Sequence, residues 1–156
     1  IGIFYVVFFM MFRAFINGME NGRILIWYAI IAAWGTDIFA YIIGKRFGKH
    51  KFSEVSPKKS IEGCVAGIIG AVAIAVLYTL AINKILNLQY SYLFVVIVVS
   101  ILSIIGQVGD FAASSIKRYV NIKDYSNLIP GHGGMLDRID SLMFLAPFAY
   151  VLLSFI

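Results

Sequence analysis

The segment from Lys117 to Asp140 concentrates charges of both signs in a chain that is otherwise largely apolar. It contains four basic and three acidic residues, and residues 130–134 read PGHGG. Carboxylate oxygens are the ligands that hard divalent cations prefer, whereas basic side chains and glycine-rich backbone N–H groups bind phosphates. We therefore expect a site in which a metal ion and a phosphate compound meet.

Carboxylates on both sides of this segment fit the same chemistry. If the preceding helix continues through Lys117, then Asp110, Ser114 and Lys117 share one helix face at i, i+4 and i+7. Asp137 and Asp140 stand three apart at the start of the last apolar run, where like charges repel and a bound cation would relieve the repulsion. Phosphoryl and nucleotidyl transfer use such metal ligands and neutralising cations.

The elements that must position these residues are predicted to be membrane-spanning helices. The chain is 61% apolar and 13% charged, whereas soluble domains are roughly 45–50% apolar and about 25% charged. Five runs approach the ~20 residues needed to cross a bilayer: Ile1–Ile16, Ile24–Ile43, Gly63–Ile82, Tyr92–Ala113 and Ser141–Ile156. We predict an all-α multi-pass protein with about five spans. Residues 1–156 are expected to form one catalytic domain, the C-terminal part of a longer chain that begins before Ile1.

The distribution of basic residues predicts the orientation of the spans. The loop 44–62 carries six Lys and Arg residues and the loop 114–140 carries four, against three elsewhere: Arg13, Arg23 and Lys84. This asymmetry places both basic loops in the cytoplasm, so a site between them would face the cytoplasm. The net charge of +5 does not indicate a nucleic-acid partner, because the basic residues lie beside apolar spans.

Two carboxylates within apolar runs are further candidates. Asp37 and Asp110 lie near the cytoplasmic ends of the second and fourth spans, where an isolated charge is costly. We expect both to face a polar cavity, although an interfacial or capping role is the alternative for each. Ser56 and Pro57 are predicted to open the third span, which would put Lys58 and Lys59 at a helix N-terminus suited to an anion.

The third span also has a packing pattern. Gly63, Gly67, Ala71 and Ala75 recur every four residues, as small residues do where helices approach closely. This face would pack within the chain or across a homodimer. The sequence has no P-loop and no HExxH motif, and its two histidines cannot form a multi-histidine zinc site. A Ser-His-Asp hydrolase is conceivable, but no GxSxG elbow is present.

The segment Ser114–Asp140 resembles the signature of the phosphatidate cytidylyltransferases, also called CDP-diglyceride synthetases. Trp34–Gly63 is similar to the cytoplasmic loop of that family. The residues of the signature that fall in register are Ser114, Lys117, Arg118, Lys123, Asp124, Ser126, Pro130, His132, Gly133, Gly134, Asp137, Arg138 and Asp140.

The resemblance implies that CTP and phosphatidate react to give CDP-diacylglycerol and pyrophosphate with Mg²⁺, with or without a second cation, at the plasma or inner membrane. Asp110, Asp137 and Asp140 would bind the metal, and Lys117 would neutralise the phosphates with support from Arg118, Lys123 and Arg138. Arg138 could instead hold Asp137 in place. Gly133, Gly134 and His132 would contact a phosphate, although His132 could simply fix the loop. Ser114, Asp37, Lys58 and Lys59 would line the nucleotide or headgroup side.

Two alternatives remain at this point. One is a relative that acts on another lipid, as a CTP-dependent kinase or a cytidylyltransferase for a different lipid phosphate. The other is an ion-coupled transporter that uses Asp37 and Asp110, although carrier sites usually lie near the bilayer midplane.

Overall fold

The computed structural model describes residues 2–50, 59–120, 122 and 136–155, with the backbone alone for residues 2–6, 8–10 and 136–140. The elements in these ranges are helical. They are α1 (Gly2–Asn17), α2 (Gly22–Ile30), a π-helical turn (Ile31–Gly35), α3 (Thr36–Phe47), α4 (Ile61–Leu86), α5 (Tyr92–Tyr119) and α6 (Leu136–Leu153).

Within the described ranges, three helical segments are long and apolar enough to cross a membrane. They are Gly22–Phe47, in which α2, the π turn and α3 are continuous, Ile61–Leu86 and Tyr92–Tyr119. At 1.5 Å per residue, each is about 40 Å long. The predicted all-α membrane protein is therefore confirmed. The apolar helical stretch Ser141–Leu153 and the 16-residue α1 are shorter, so the count of about five spans stays a prediction.

One predicted helix boundary is wrong. α4 begins at Ile61 and its N-cap is Ser60, not Ser56. The Ser60 hydroxyl accepts a hydrogen bond from the Gly63 N–H at 3.1 Å, which satisfies one of the free donors at the helix start. Ser60 fits there because Gly48 has no side chain: a Cβ at Gly48 would lie 2.5 Å from the Ser60 hydroxyl oxygen.

The small-residue face of α4 packs within the chain, against the segment Gly22–Phe47. Gly63, Gly67, Ala71 and Ala75 are all buried. A Cβ added at Gly67 would lie 2.7 Å from the carbonyl oxygen of Thr36, and one added at Gly63 would lie 2.7 Å from that of Ala40. This close approach fixes the register of α3 on α4.

We predict that Gly67→Val destabilises the protein by about 1–3 kcal/mol, because the added carbons meet backbone that cannot move aside. The matched control is Ala73→Val, which adds the same bulk at an exposed position of the same helix. Thermal unfolding in detergent would measure both. Equal unfolding temperatures for the two variants would contradict the packing described.

Hydrogen bonds also join α2 to the C-terminal half of α4. The hydroxyls of Tyr28 and Thr79 are 2.9 Å apart, and both residues are fully buried. The Tyr78 hydroxyl donates to the Ile24 carbonyl at 3.1 Å. Tyr28 and Thr79 thus set the register at this end, as the glycines do at the other.

The last helix packs on α5 beside one of the candidate carboxylates. A Cβ added at Gly109 would lie 2.6 Å from the Cβ of Phe144, so Gly109 lets α6 approach α5 one residue before Asp110. Because α6 begins at Leu136, Asp137, Arg138 and Asp140 lie in its first two turns. These three residues therefore precede the Phe144 contact by one to two turns of α6.

Candidate active site

A cavity of about 250 Å³ with three charged residues in its lining lies where α3, the start of α4 and α5 meet. Asp37 and Asp110 both line it, as the sequence predicted, and Lys59 lines it as well. The remaining lining residues are Ala40, Tyr41, Ser60 and Cys64. The cavity therefore combines two carboxylates from separate helices with one ammonium group.

Lys59 and Asp110 form an ion pair across the cavity. Both side chains are 24% exposed, so the pair is partly shielded from solvent but still open to a ligand. An aspartate within an apolar helix is costly without a cation, and Lys59 supplies that cation here. The Asp110 carboxylate is therefore paired with a cation in this fold.

The backbone on both sides of residues 51–58 is tied together, and this positions Lys59. The His50 Nδ1 and Glu62 Oε1 atoms are 2.6 Å apart, and the His50 N–H also donates to the Glu62 carboxylate at 3.3 Å. The Ile61 N–H donates to the His50 carbonyl at 3.0 Å. Lys59 and the cap Ser60 are thereby held at the mouth of the cavity.

We predict that Ser60→Ala lowers the stability of the protein by about 1 kcal/mol through loss of the helix cap. Ser91→Ala is the matched control, because Ser91 is the N-cap of α5 but makes no side-chain capping bond. Thermal unfolding of the two variants should therefore differ, with only Ser60→Ala below the unsubstituted protein. A drop of the same size in Ser91→Ala would argue against the cap as the cause.

A hydrogen bond between α4 and α5 fixes the register of Asp110. The Gln107 Nε2 donates to the Cys64 carbonyl at 3.0 Å. Gln107 precedes Asp110 by three residues, and Cys64 lines the cavity. The bond therefore holds the Asp110 turn of α5 level with the start of α4, where Lys59 is placed.

The predicted continuation of α5 is confirmed, because this helix runs to Tyr119. Asp110, Ser114 and Lys117 therefore share a face, as their spacing predicted. Lys117 is 9% exposed, whereas Arg118 is exposed. A lysine is seldom buried to this extent unless it is paired, which sets Lys117 apart from the ordinary basic residues of a loop.

For the other predicted site residues, the structure describes either the backbone alone or nothing. Asp137, Arg138 and Asp140 have described backbone but not side chains. Five more lie outside the described residues: Lys58, Lys123, His132, Gly133 and Gly134. Four lining residues were not predicted: Ala40, Tyr41, Ser60 and Cys64. Of these, only Ser60 had a usable signal, as a serine directly before an apolar run.

The described residues partly fit a divalent cation. Within the ranges that the structure describes, no group of three or more His, Cys, Asp or Glu side chains is assembled. Asp37 and Asp110 line one cavity, however, and the Lys59 ammonium on Asp110 shows a positive charge accepted at that carboxylate. Oxygen donors of this kind suit Mg²⁺, which usually takes one or two carboxylates with water and substrate phosphates.

Comparison with known proteins decides the family. The sequence model of the cytidylyltransferase family matches residues 1–156. The chain belongs to this family. The phosphatidate cytidylyltransferase of Bacillus subtilis (strain 168) is 40% identical over 136 residues, which are 86% of this chain and 49% of that protein.

Other members of the cytidylyltransferase family match in the same way. The phosphatidate cytidylyltransferase of Thermotoga maritima is 37% identical over 158 aligned positions, covering 97% of this chain and 56% of that protein. That of Staphylococcus aureus (strain COL) is 39% identical, covering 91% and 54%. The chain thus spans about half the length of the curated relatives it matches.

Proposed function

We propose that the full-length protein is a phosphatidate cytidylyltransferase whose site includes the cavity of Asp37, Lys59 and Asp110. The observation that carries the proposal is the convergence of these three charged groups from α3, α5 and the start of α4, in a chain of the cytidylyltransferase family. The similarity to enzymes named phosphatidate cytidylyltransferase supports the substrate pair. Family membership gives no support to a kinase or a transporter.

The reaction joins two polyanions. A phosphate oxygen of phosphatidate attacks the α-phosphorus of CTP and forms a new P–O bond. The bond from that phosphorus to the oxygen bridging the β-phosphate breaks, and pyrophosphate leaves with its electron pair. The attacking oxygen is already anionic near neutral pH, so the main obstacle is charge repulsion, which cations and a bound metal reduce.

We assign the metal to the carboxylates. Asp110, with Asp137 and Asp140 from the start of α6, would hold Mg²⁺ with or without a second cation, and the metal would supply Lewis acidity and neutralise phosphate charge. Asp37 would line the nucleotide or headgroup side. The packing of Phe144 on Gly109 supports this grouping, because it brings α6 onto α5 next to Asp110.

We propose that the basic residues bind the phosphates of the two substrates. Lys59 would exchange Asp110 for a phosphate when substrate enters, and Lys117 would neutralise the triphosphate or the headgroup. Ser114 follows Asp110 by one helical turn and would donate to the same ligand. Arg118, Lys123, Arg138 and Lys58 would add positive charge, and Gly133, Gly134 and His132 would contact a phosphate.

The site would face the cytoplasm of a bacterial plasma or inner membrane. The excess of basic residues in the two loops beside the cavity supports this orientation, and CTP is a cytoplasmic nucleotide. A homodimer would need a surface other than the small-residue face of α4, which is buried against α3 and the π turn. Phosphatidate would enter from the bilayer.

The test uses the full-length protein in detergent with phosphatidate, CTP and Mg²⁺. We expect pyrophosphate and CDP-diacylglycerol to form in equal amounts, and only when all three are present. Lipids with a different phosphate headgroup serve as the comparison. Product from another lipid phosphate but none from phosphatidate would overturn the substrate assignment, and no CTP-dependent product at all would overturn the reaction.

A further inference from the structure

A second charged pocket lies at the N-terminal end of the segment Gly22–Phe47. Its volume is about 390 Å³, and Arg13, Ala14, Asn17, Arg23 and Ile26 line it. Arg13 precedes and Arg23 follows the turn at residues 18–21, which joins α1 to α2. The segment Gly22–Phe47 has 26 residues, so this pocket and the end of α3 are separated by about 39 Å along the helix.

The two arginines have no acidic partner among the residues that the structure describes. Both side chains are exposed, and neither forms an ion pair there. Glu20, the carboxylate of the adjoining turn, is not among the residues that line the pocket. The pocket therefore presents two guanidinium groups and the Asn17 amide.

An apolar cleft continues from the arginine pocket. Arg13 and Ile26 line both, and the cleft is otherwise lined by residues of α1, α2 and α6: Ile16, Ala29, Ile30, Leu142, Met143 and Ala146. The volume of this cleft is small, about 40 Å³. It can therefore receive the part of an acyl chain nearest the headgroup, but not the whole chain. Trp27 is 51% exposed and follows Arg23 by one turn, on the same helix face.

We propose that the arginine pocket binds the headgroup of an anionic phospholipid, with the start of one acyl chain in the cleft. Charge complementarity selects this occupant, because arginine binds phosphate oxygens in a bidentate fashion. A neutral lipid would leave both guanidinium groups uncompensated. The site lies away from Asp37, Lys59 and Asp110, so it is a lipid-binding site separate from the proposed transfer reaction.

The experiment measures quenching of Trp27 fluorescence by lipids with brominated acyl chains. The full-length protein, with its other tryptophans replaced by Phe, is reconstituted in phosphatidylcholine vesicles that contain increasing fractions of brominated phosphatidylglycerol. Brominated phosphatidylcholine is the neutral reference. We expect the anionic lipid to quench at a lower mole fraction than the neutral one.

Arg13→Gln and Arg23→Gln should each raise the half-quenching mole fraction of the anionic lipid by about fivefold. Lys84→Gln is the matched control, since it removes one positive charge from an exposed residue in the last turn of α4, at the same end of the fold. It should leave the preference unchanged.

Three results would overturn the proposal: equal quenching by both lipids, an equal effect of Lys84→Gln, or no quenching by either lipid because protein covers the cleft. None of these readouts depends on cytidylyl transfer, so they test the lipid-binding site independently of the proposed function.

Discussion

Asp110→Asn is expected to lower the rate of CDP-diacylglycerol formation by at least about a hundredfold, the order of effect seen when one electrostatic contact to the transition state is removed. The substitution keeps the size of the side chain and removes the charge that pairs with Lys59 and, in our proposal, holds the metal. Pyrophosphate release by the full-length protein at saturating CTP and phosphatidate would measure it.

The control for Asp110→Asn is Glu20→Gln, which neutralises an exposed carboxylate in the turn between α1 and α2. It should retain the rate of the unsubstituted protein. Both variants should elute as folded protein from size exclusion in detergent, so that loss of activity is not loss of fold. Near-normal turnover in Asp110→Asn would place the metal elsewhere and remove Asp110 from the mechanism.

Lys59→Gln is expected to raise the apparent affinity for Mg²⁺ and to lower kcat/KM for CTP. Because Lys59 pairs with Asp110 in the structure, a metal ion must compete with its ammonium group for the carboxylate. Removal of the ammonium should lower the Mg²⁺ concentration that gives half-maximal activity. The same change removes a phosphate-binding cation, so kcat/KM for CTP should fall by about tenfold or more.

Titration of Mg²⁺ and of CTP separates the two effects of Lys59→Gln. Lys49→Gln is the matched control, since Lys49 is an exposed lysine of the same loop and does not line the cavity. Lys59→Arg should recover part of the loss in kcat/KM because it restores the charge. If Lys59→Gln raised the Mg²⁺ requirement, or matched Lys49→Gln in both titrations, the exchange of Lys59 between carboxylate and phosphate would be wrong.

Much of the helical architecture follows from local sequence, because long apolar runs have few alternatives in a bilayer. The small-residue face of α4 likewise predicted a close helix contact, which the buried Gly63 and Gly67 confirm. The partner of that face could not be predicted, since spacing on one helix does not identify the helix opposite. The structure assigns it to α3 through the backbone of Thr36 and Ala40.

Helix periodicity alone was enough to predict one part of the site. Asp110, Ser114 and Lys117 share a face as soon as α5 reaches Tyr119. The pairing of Lys59 with Asp110 was not predictable, because it depends on where α4 starts. Two serines, Ser56 and Ser60, could cap that helix, and the choice rests on tertiary contacts: the absence of a side chain at Gly48 and the bonds between His50 and residues 61–62.

The measurement that tests the central claim most directly is the fate of labelled CTP in the full-length protein with phosphatidate and Mg²⁺. Nucleotidyl transfer predicts that phosphorus from the α-position of CTP enters the lipid product and that phosphorus from the γ-position leaves in pyrophosphate. Lipid labelled from the γ-position would contradict the account, because it would show a kinase that transfers the terminal phosphate.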